Sequence, residues 1–259
     1  MPNKTITLLS WNVNGIRAAF RKGFDQWLSK AQPDVLCLQE TKARPEQIDQ
    51  ELAQVSGYHH HFVAGAKPGY SGVALFSKIE PEKLSDSFGA KRFDEEGRII
   101  RADFGDFLLF NIYFPNGKAS PERLQYKMDF YEAFLLQMVK LLKKGEKVVI
   151  CGDVNTAHRE IDLARPKENA AVSGFLPQER EWLDRLLAAG FVDTLRLHHP
   201  EAGQYSWWDL KSGARARNVG WRIDYFFVSD SLKRNVKDAF IQSEVQGSDH
   251  CPVGITLAV

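Results

Sequence analysis

The sequence lacks any apolar run near the roughly 20 residues that a membrane-crossing helix needs. Its cysteines are few: Cys37, Cys151 and Cys251, each inside an apolar run and none in a C-x-x-C pair. That scarcity excludes a disulfide framework and a cysteine-rich zinc site, and it points to a reducing, cytoplasmic setting. No signal peptide is expected either, because Met1-Pro2-Asn3-Lys4 leads straight into a strand-like segment. No tract rich in Gly, Pro or Ser divides the chain, so one domain over residues 1–259 is expected. An excess of one charge is also missing. The net charge is +1, so any nucleic-acid partner must be met by locally grouped cations. What is present is a globular composition, 44% hydrophobic and 26% charged over 259 residues.

The stretch Lys147 to Asn155 organises the rest. Val148 to Cys151 is short, apolar and β-branched, which predicts a buried strand. Gly152 breaks it, and Asp153 and Asn155 follow. A carboxylate there sits at the rim of a rigid sheet, where catalytic groups are held best. Taken alone, the stretch fits equally well a turn whose Asp and Asn bond their own backbone. Thr5 to Trp11 is a second predicted strand, closed by Asn12-Val13-Asn14. Its likeness to Asp153-Val154-Asn155 suggests two similar halves facing each other.

The design recurs. Asp34 to Leu38 predicts a buried strand with Glu40 at its end, and Val73 to Ser77 another. Ile99 to Phe104 and Phe107 to Phe114 predict a hairpin turning at Gly105-Asp106, with Tyr113 and Asn116 at its far end. Further strands are expected over Tyr205 to Trp208, Ile223 to Val228, Val236 to Ile241 and Val253 to Leu257. Helices are expected over about Gly23 to Ala31, Pro45 to Val55, Pro121 to about Gly145, and Pro177 to Ala189. The Pro121 helix carries a core stripe that includes Tyr131, Leu135 and Met138. Ala157 to Leu176 shows no period and reads as a long loop of the functional kind. His59, His60 and His61 alternate across a strand and cannot all ligate one metal. Strands and helices mix without a strict βαβ period, which predicts a mixed or antiparallel α+β layering.

The polar strand ends collect Asn12, Glu40, Tyr113, Asn116, Asp153, Asn155, Asp224, Asp249 and His250. Carboxylates and amides with a single histidine suit a hard divalent cation such as Mg2+. Phosphodiester cleavage needs that charge, a positioned water and help for the leaving oxygen. Glu40 and Asp249 are candidate metal ligands. Asp153 is a candidate to orient or deprotonate water, Asn155 to donate to the phosphate, and Tyr113 to reach a non-bridging oxygen. Asp224 is the candidate partner that sets the His250 tautomer. Between Asp209 and Asp224 lie Lys211, Arg215, Arg217 and Arg222 with no intervening acid, bordered by Trp207, Trp208 and Trp221. Cations and aromatic faces in that pattern suit a polyanion with bases. Trp207 and Trp208 point to opposite sides of their strand, with Trp208 in the core.

Six motifs carry a resemblance. Trp11-Asn12-Val13-Asn14-Gly15-Ile16-Arg17, Leu38-Gln39-Glu40-Thr41-Lys42, Tyr113-Phe114-Pro115-Asn116-Gly117, Cys151-Gly152-Asp153-Val154-Asn155, Asn218 to Tyr225, and Gly247-Ser248-Asp249-His250-Cys251-Pro252 resemble, in order, the signatures of the exonuclease III family of abasic-site (AP) endonucleases. The resemblance implies a four-layered α/β/β/α sandwich of two mixed sheets with flanking helices. It implies Mg2+- or Mn2+-dependent cleavage 5′ to an abasic site in double-stranded DNA, with 3′→5′ exonuclease and 3′-end-cleaning activity beside it. By the same resemblance, Asn12, Glu40, Asp153, Asn155, Asp249 and His250 form or border the metal shell. Asp153 activates water, and Asn155 stabilises the transition state. Tyr113, Asn116 and His250 contact phosphate, and Asp224 partners His250. Lys118, Trp207, Arg217, Trp221 and Ile223 are the implied DNA contacts, with Trp207, Trp221 and Ile223 walling the pocket for a flipped sugar. Asn14 stands where mammalian members carry Asp. Gly174, beside the pocket, leaves room for the flipped residue. The implied enzyme acts as a monomer on DNA with abasic sites or blocked 3′ ends. The alternatives are exonuclease or 3′-phosphatase as the main activity, a phosphodiesterase of the same fold with a non-DNA substrate such as a phosphoinositide or sphingomyelin, and a binding module without catalysis.

Overall fold

Parallel pairing at the centre of two sheets decides where the polar strand ends go. The computed structural model describes residues 4–52, 55–87 and 89–259. Twelve strands are described: β1 (Thr5–Asn12), β2 (Val35–Gln39), β3 (His59–Val63), β4 (Val73–Ser77), β5 (Lys83–Ser85), β6 (Ile99–Asp103), β7 (Leu108–Tyr113), β8 (Val148–Asp153), β9 (Phe191–Asp193), β10 (Asp224–Ser229), β11 (Val236–Ile241) and β12 (Val253–Ala258). They form two mixed six-stranded sheets, ordered β11-β12-β1-β2-β4-β3 and β5-β6-β7-β8-β10-β9. β1 runs parallel to β2, with Asn12 beside Gln39, and β7 runs parallel to β8, with Tyr113 beside Asp153. Each parallel pair therefore ends on one edge. β10 starts there antiparallel, with Asp224 opposite Asp153.

The sheets pack face to face. Leu8, Cys37, Leu75, Leu109, Val149, Phe226 and Ile255 fill the space between them. Their neighbours along each strand point outward. On one side Leu9, Trp11, Leu36 and Phe76 meet Phe24 and Leu28 of the helix Phe24–Ala31. On the other, Phe110, Ile112 and Ile150 meet Phe130, Phe134 and Met138 of the helix Pro121–Lys143 and Trp182 of the helix Pro177–Ala188. This is the expected four-layered sandwich. Both faces of each sheet are covered, which is why the central strands read as continuous apolar runs. Each buried Leu, Val or Phe contributes about 1.5–3 kcal/mol. Gln39 and Asn111 pin the layers beneath the site: Gln39 Nε2 donates to Asn111 Oδ1 at 2.8 Å and to Ser10 Oγ at 3.0 Å. Ser120 caps the Pro121 helix, its Oγ accepting from Arg123 N at 3.3 Å.

Several expectations change. Tyr205 to Trp208 is no strand; Trp207 makes only isolated bridges to Trp221 and His250. The predicted helix over Pro45 to Val55 is a 3-10 turn, Pro45–Gln47, and a single helical turn, Asp49–Leu52, while residues 53 and 54 lie outside the described part. β5 and β9 are too short, three residues each, to show a period. Ile16–Arg21 forms a helix beyond those expected. The loop 157–176 contains the turns Glu160–Asp162 and Pro166–Asn169.

The three histidines alternate as expected. His60 packs on Phe62 and Phe76, while His61 Nε2 lies 2.6 Å from Asp86 Oδ1, joining edge strand β3 to the segment after edge strand β5. The Asp86 hydrogen bond raises the His61 pKa, against partial burial. A raised histidine pKa stabilises below the unfolded value near 6.5 and loses that contribution as pH rises through the folded value. The expected NMR result is a His61 ring titrating above 6.5 that returns to its ordinary value in Asp86→Asn. Being exposed, the pair should contribute under about 1 kcal/mol. An unchanged titration in that variant would refute the clasp.

Candidate active site at one edge of the sandwich

The common edge brings together side chains up to 239 residues apart, as when Trp11 Nε1 donates to the His250 carbonyl at 3.2 Å. Asn12, at the end of β1, donates from Nδ2 to Glu40 Oε1 at 3.1 Å and to Asp153 Oδ2 at 2.9 Å. It thus ties the two Val-Asn strand ends to one another. Its Oδ1 accepts from Asn14 N at 3.0 Å, so in this arrangement the amide clamps the two carboxylates. Glu40 also accepts from Tyr113 OH at 2.5 Å and pairs with Lys42 Nζ at 2.8 Å. Burial raises the Glu40 pKa, but Lys42, Tyr113 and Asn12 outweigh it, and the net shift is downward. The carboxylate is held ionised.

Asp153 is 1% exposed. Burial pushes its pKa up to about 7; His250 and Asn12 oppose the rise, while Asp224 and Glu40 add to it. His250 Nδ1–H donates to Asp224 Oδ2 at 2.8 Å, and Nε2 faces Asp153 Oδ2 at 3.9 Å. Burial disfavours the imidazolium, but Asp224, Asp153 and Asp249 lift its pKa to about 10. Ser206 Oγ donates to Asp224 Oδ2 at 2.6 Å and accepts from Asp224 N at 3.1 Å. Asp249 accepts from Asn14 Nδ2 at 2.9 Å and from Trp207 Nε1 at 3.0 Å.

The alternative sequence reading of Asp153 and Asn155 is also present. Asp153 Oδ1 accepts from Asn155 N at 2.8 Å, a backbone turn that sets Asn155 at φ +57°. Asn155 Nδ2 then donates to Phe114 O at 3.0 Å, and its Oδ1 accepts from Asn116 Nδ2 at 2.8 Å. The turn and the site are one structure.

A cleft of about 180 Å³ opens over this set, lined by Glu40, Asp153, Asn155 and His250 on one side and by Trp207, Trp221 and Ile223 on the other. Trp207 and Trp221 meet edge to face at 6.3 Å, and Lys118 Nζ lies 5.3 Å from each ring centre. Gly174 completes the wall at φ +101°; a Cβ there would come within 3.2 Å of the Trp221 ring and 3.3 Å of Asn155 O. Two of the four cations in the basic segment serve the scaffold instead. Arg222 is 1% exposed and pairs with Asp162 and Asp193. Arg215 stacks on Trp208 and donates to the carbonyls of Ser243, Val245 and Ser248. Trp208 is in the core, as expected. Arg217 is exposed and lies outside the cleft lining.

Sequence reasoning missed Ser206 and a buried pair beneath the cleft. Lys127 and Glu179 are both 0% exposed. Lys127 Nζ donates to Glu179 Oε1 at 2.6 Å, to Asn155 O at 2.8 Å and to Thr156 Oγ1 at 2.8 Å. Glu179 Oε2 accepts from Gly174 N at 2.6 Å. One ion pair therefore holds both Asn155 and the glycine wall. Lys127 was hidden in a helix, where a lysine normally signals solvent.

The donor set fits a hard divalent cation. One ligand atom each from Asp153, Asp224 and His250 lies within 4.8 Å of the others. The His250 ring is protonated and tied to Asp224, so the oxygens facing the cleft that are left for a cation are those of Asp153, Glu40 and Asp249. Asp224 Oδ1 is buried without a hydrogen-bond partner. Glu40 joins the same cluster through Asn12. Oxygen predominates, which disfavours zinc.

Residues 9–250 match the Endonuclease/Exonuclease/phosphatase family. The chain is 46% identical over 254 residues to an exodeoxyribonuclease of Bacillus subtilis, covering 97% of this chain and 99% of that relative. An AP endonuclease from Archaeoglobus fulgidus superposes with a TM-score of 0.86 at 31% identity, covering 98% of this chain and 100% of the other. A 3′ phosphatase from Neisseria bound to a product DNA hairpin superposes with a TM-score of 0.90 at 28% identity, again covering 98% and 100%.

Proposed function

The chain belongs to the Endonuclease/Exonuclease/phosphatase family, and on that footing we propose a DNA repair nuclease that hydrolyses the phosphodiester 5′ to an abasic site in duplex DNA. Some 3′→5′ exonuclease and 3′-end-cleaning activity accompanies it. One observation carries the reading: Glu40, Asp153, Asn155 and His250, the last held from behind by Asp224, share a cleft with two tryptophans. The reading assigns one catalytic domain, acting as a monomer in the cytoplasm. The three buried thiols support that compartment. Among the described residues no helix is long and apolar enough to cross a membrane.

Glu40, Asp153 and Asp249 would hold Mg2+ or Mn2+, with Asn12 steering two of them. The cation supplies charge neutralisation on the phosphate and help for the leaving oxygen. Asp153 orients the attacking water and takes its proton as the new P–O bond forms and the bond to the leaving oxygen breaks. His250, protonated at neutral pH and fixed by Asp224, offers Nε2–H to a phosphate oxygen. Asn116 Nδ2, with one N–H on Asn155 Oδ1, keeps a second N–H for that oxygen. Asn155, expected to donate to the phosphate, instead commits its Nδ2 to Phe114 O and Asp153 Oδ2, and so sets the positions of Asn116 and Asp153. The Tyr113 hydroxyl, expected at a phosphate oxygen, is committed here to Glu40 and sets that carboxylate. Trp207 and Trp221 receive the flipped sugar, and flipping costs least where the base is already missing.

The test is a side-by-side assay of abasic-analogue, 3′-phosphate, nicked and undamaged duplexes with Mg2+. A Mg2+-dependent nick at the abasic analogue is expected, abolished by chelator and restored by Mg2+ or Mn2+; no such nick would remove the reading. Gly174→Leu should cut abasic nicking at least about tenfold, about 1.4 kcal/mol in transition-state terms, by crowding Trp221. Removal of a 3′-phosphate should fall less. Equal losses on both substrates would deny that Gly174 makes room for the flipped sugar.

A further inference from the structure

Tyr113 holds Glu40 through one hydroxyl, at 2.5 Å, so the place of that carboxylate depends on where the tyrosine ring stands. The ring is fixed by a residue that takes no part in the chemistry above. Arg98 is 2% exposed and stands just ahead of β6, opposite the end of β7. It holds Tyr113 in three places. Its carbonyl accepts from Tyr113 N at 2.9 Å, its Nη1 donates to the Tyr113 carbonyl at 3.0 Å, and its guanidinium carbon lies over the Tyr113 ring, 4.6 Å from the centre. A cation at that distance, shielded from water, is attracted to the face of the ring. Arg98 is itself immobilised. Its Nε donates to Glu96 Oε2 at 2.5 Å and its Nη2 to the Tyr70 hydroxyl at 2.9 Å. Arg123 closes the cluster from outside, donating from Nη1 to Glu96 Oε1 at 2.7 Å. With all three guanidinium nitrogens bonded, the planar fork has a single orientation. The buried charge thus does more than join two strands: it lies against the one side chain that carries a hydroxyl to Glu40.

We propose that Arg98 is a positioning residue for the metal shell: by clamping the backbone and ring of Tyr113 it keeps the hydroxyl on Glu40, and so sets how tightly that carboxylate receives a divalent cation. The inference rests on the metal-dependent reading of the site and deepens it. Arg98 acts only through Tyr113. Without the clamp the ring swings away, and Glu40 is left to Asn12 and to Lys42, whose ammonium competes with the metal for it. Partners that orient a metal ligand in this way tune affinity without touching the ion.

The experiment reads metal binding without turnover. Mn2+ is titrated into DNA-free protein, and the unbound ion is followed by electron paramagnetic resonance for wild type, Arg98→Met, Arg98→Lys, Tyr113→Phe and Arg98→Met/Tyr113→Phe. Arg98→Met should raise the Mn2+ dissociation constant about tenfold, the lower end of what losing such a partner costs. Arg98→Lys, which keeps a cation beside the ring but loses the fork, should fall between it and wild type. Tyr113→Phe should weaken binding to a similar extent. Adding Arg98→Met to Tyr113→Phe should then change the constant by less than about twofold, because the hydroxyl through which Arg98 acts is already gone. Arg123→Gln, which loosens the same cluster without touching Tyr113, should stay within about twofold of wild type. In nicking assays Arg98→Met should need more Mg2+ for half-maximal rate, with the KM for the duplex unchanged. An unchanged Mn2+ constant in Arg98→Met would overturn the proposal. So would an equal further loss in the Tyr113→Phe background, the result expected of an arginine that only stabilises the strand ends. If Arg98→Met does not fold, Arg98→Lys with and without Tyr113→Phe makes the same comparison. Failure of wild type itself to bind Mn2+ would refute the metal site and the proposal with it, a result distinct from a variant that binds as well as wild type.

Discussion

Asp153→Asn is expected to lower kcat for abasic-site nicking by about 10²–10⁴-fold, the range lost with a general base, while the melting temperature stays level or rises. The split follows from the environment. Burial, with Asp224 and Glu40 adding to it, pushes the Asp153 pKa up to about 7. An acid whose folded pKa lies above its unfolded value of about 3.9 binds more protons when folded, so stability falls as pH rises from about 4 to 7. Replacing the carboxylate removes that penalty and leaves one hydrogen bond, from Asn155 N, to be lost at about 1 kcal/mol, because an amide NH2 at the Oδ2 position would lose two, from Asn12 and Asn155 Nδ2. For a chain of this size that is a shift of about 2–4 °C. Rate assays under saturating Mg2+ and thermal unfolding in chelator measure both halves. Unchanged kcat would end the role assigned to Asp153. A steep loss of melting temperature would make it a structural acid instead.

The second large effect lies beneath the site. Lys127→Met is expected to destabilise the fold by about 3–5 kcal/mol, the cost of leaving a buried charge unpaired, and to lower the melting temperature by about 6–20 °C. Glu179 keeps its bonds to Gly174 N, Leu176 N and Ser173 Oγ, so the carboxylate remains buried and its cation is gone. Asn155 O and Thr156 Oγ1 lose their donor as well. A variant within about 1 kcal/mol of wild type in urea unfolding would show that the pair stabilises nothing, as some buried ion pairs do.

The candidate site residues were legible because each stands at one end of an apolar run, Asp224 and Asp249-His250 before it and the others after it. Val148 to Cys151 reads as a buried strand from composition alone, and the polar residue after it must stand at the sheet rim. The same logic located Glu40, Tyr113 and Asn12. Arg222 shows where it fails. Its neighbours Lys211, Arg215 and Arg217 suggest a solvated basic face, yet its guanidinium is buried against Asp162 and Asp193. Those carboxylates are 60 and 29 residues away. Tyr205 to Trp208 fails for a related reason: its apolar residues bury against a loop and against His250, with no strand to pair with.

The order of apolar runs and polar closures by itself determined most of the elements, a mixed α+β layering and which acids and amides stand at strand ends, because burial along a single element follows local periodicity; the two-sheet sandwich was implied by the family resemblance. Only the tertiary structure decided that Asn12 bridges Glu40 and Asp153, that Ser206 and Lys127 support the site, and that Arg222 is buried against Asp162 and Asp193. Those choices depend on distances between segments far apart in sequence, and on the desolvation and pairing that set each charge.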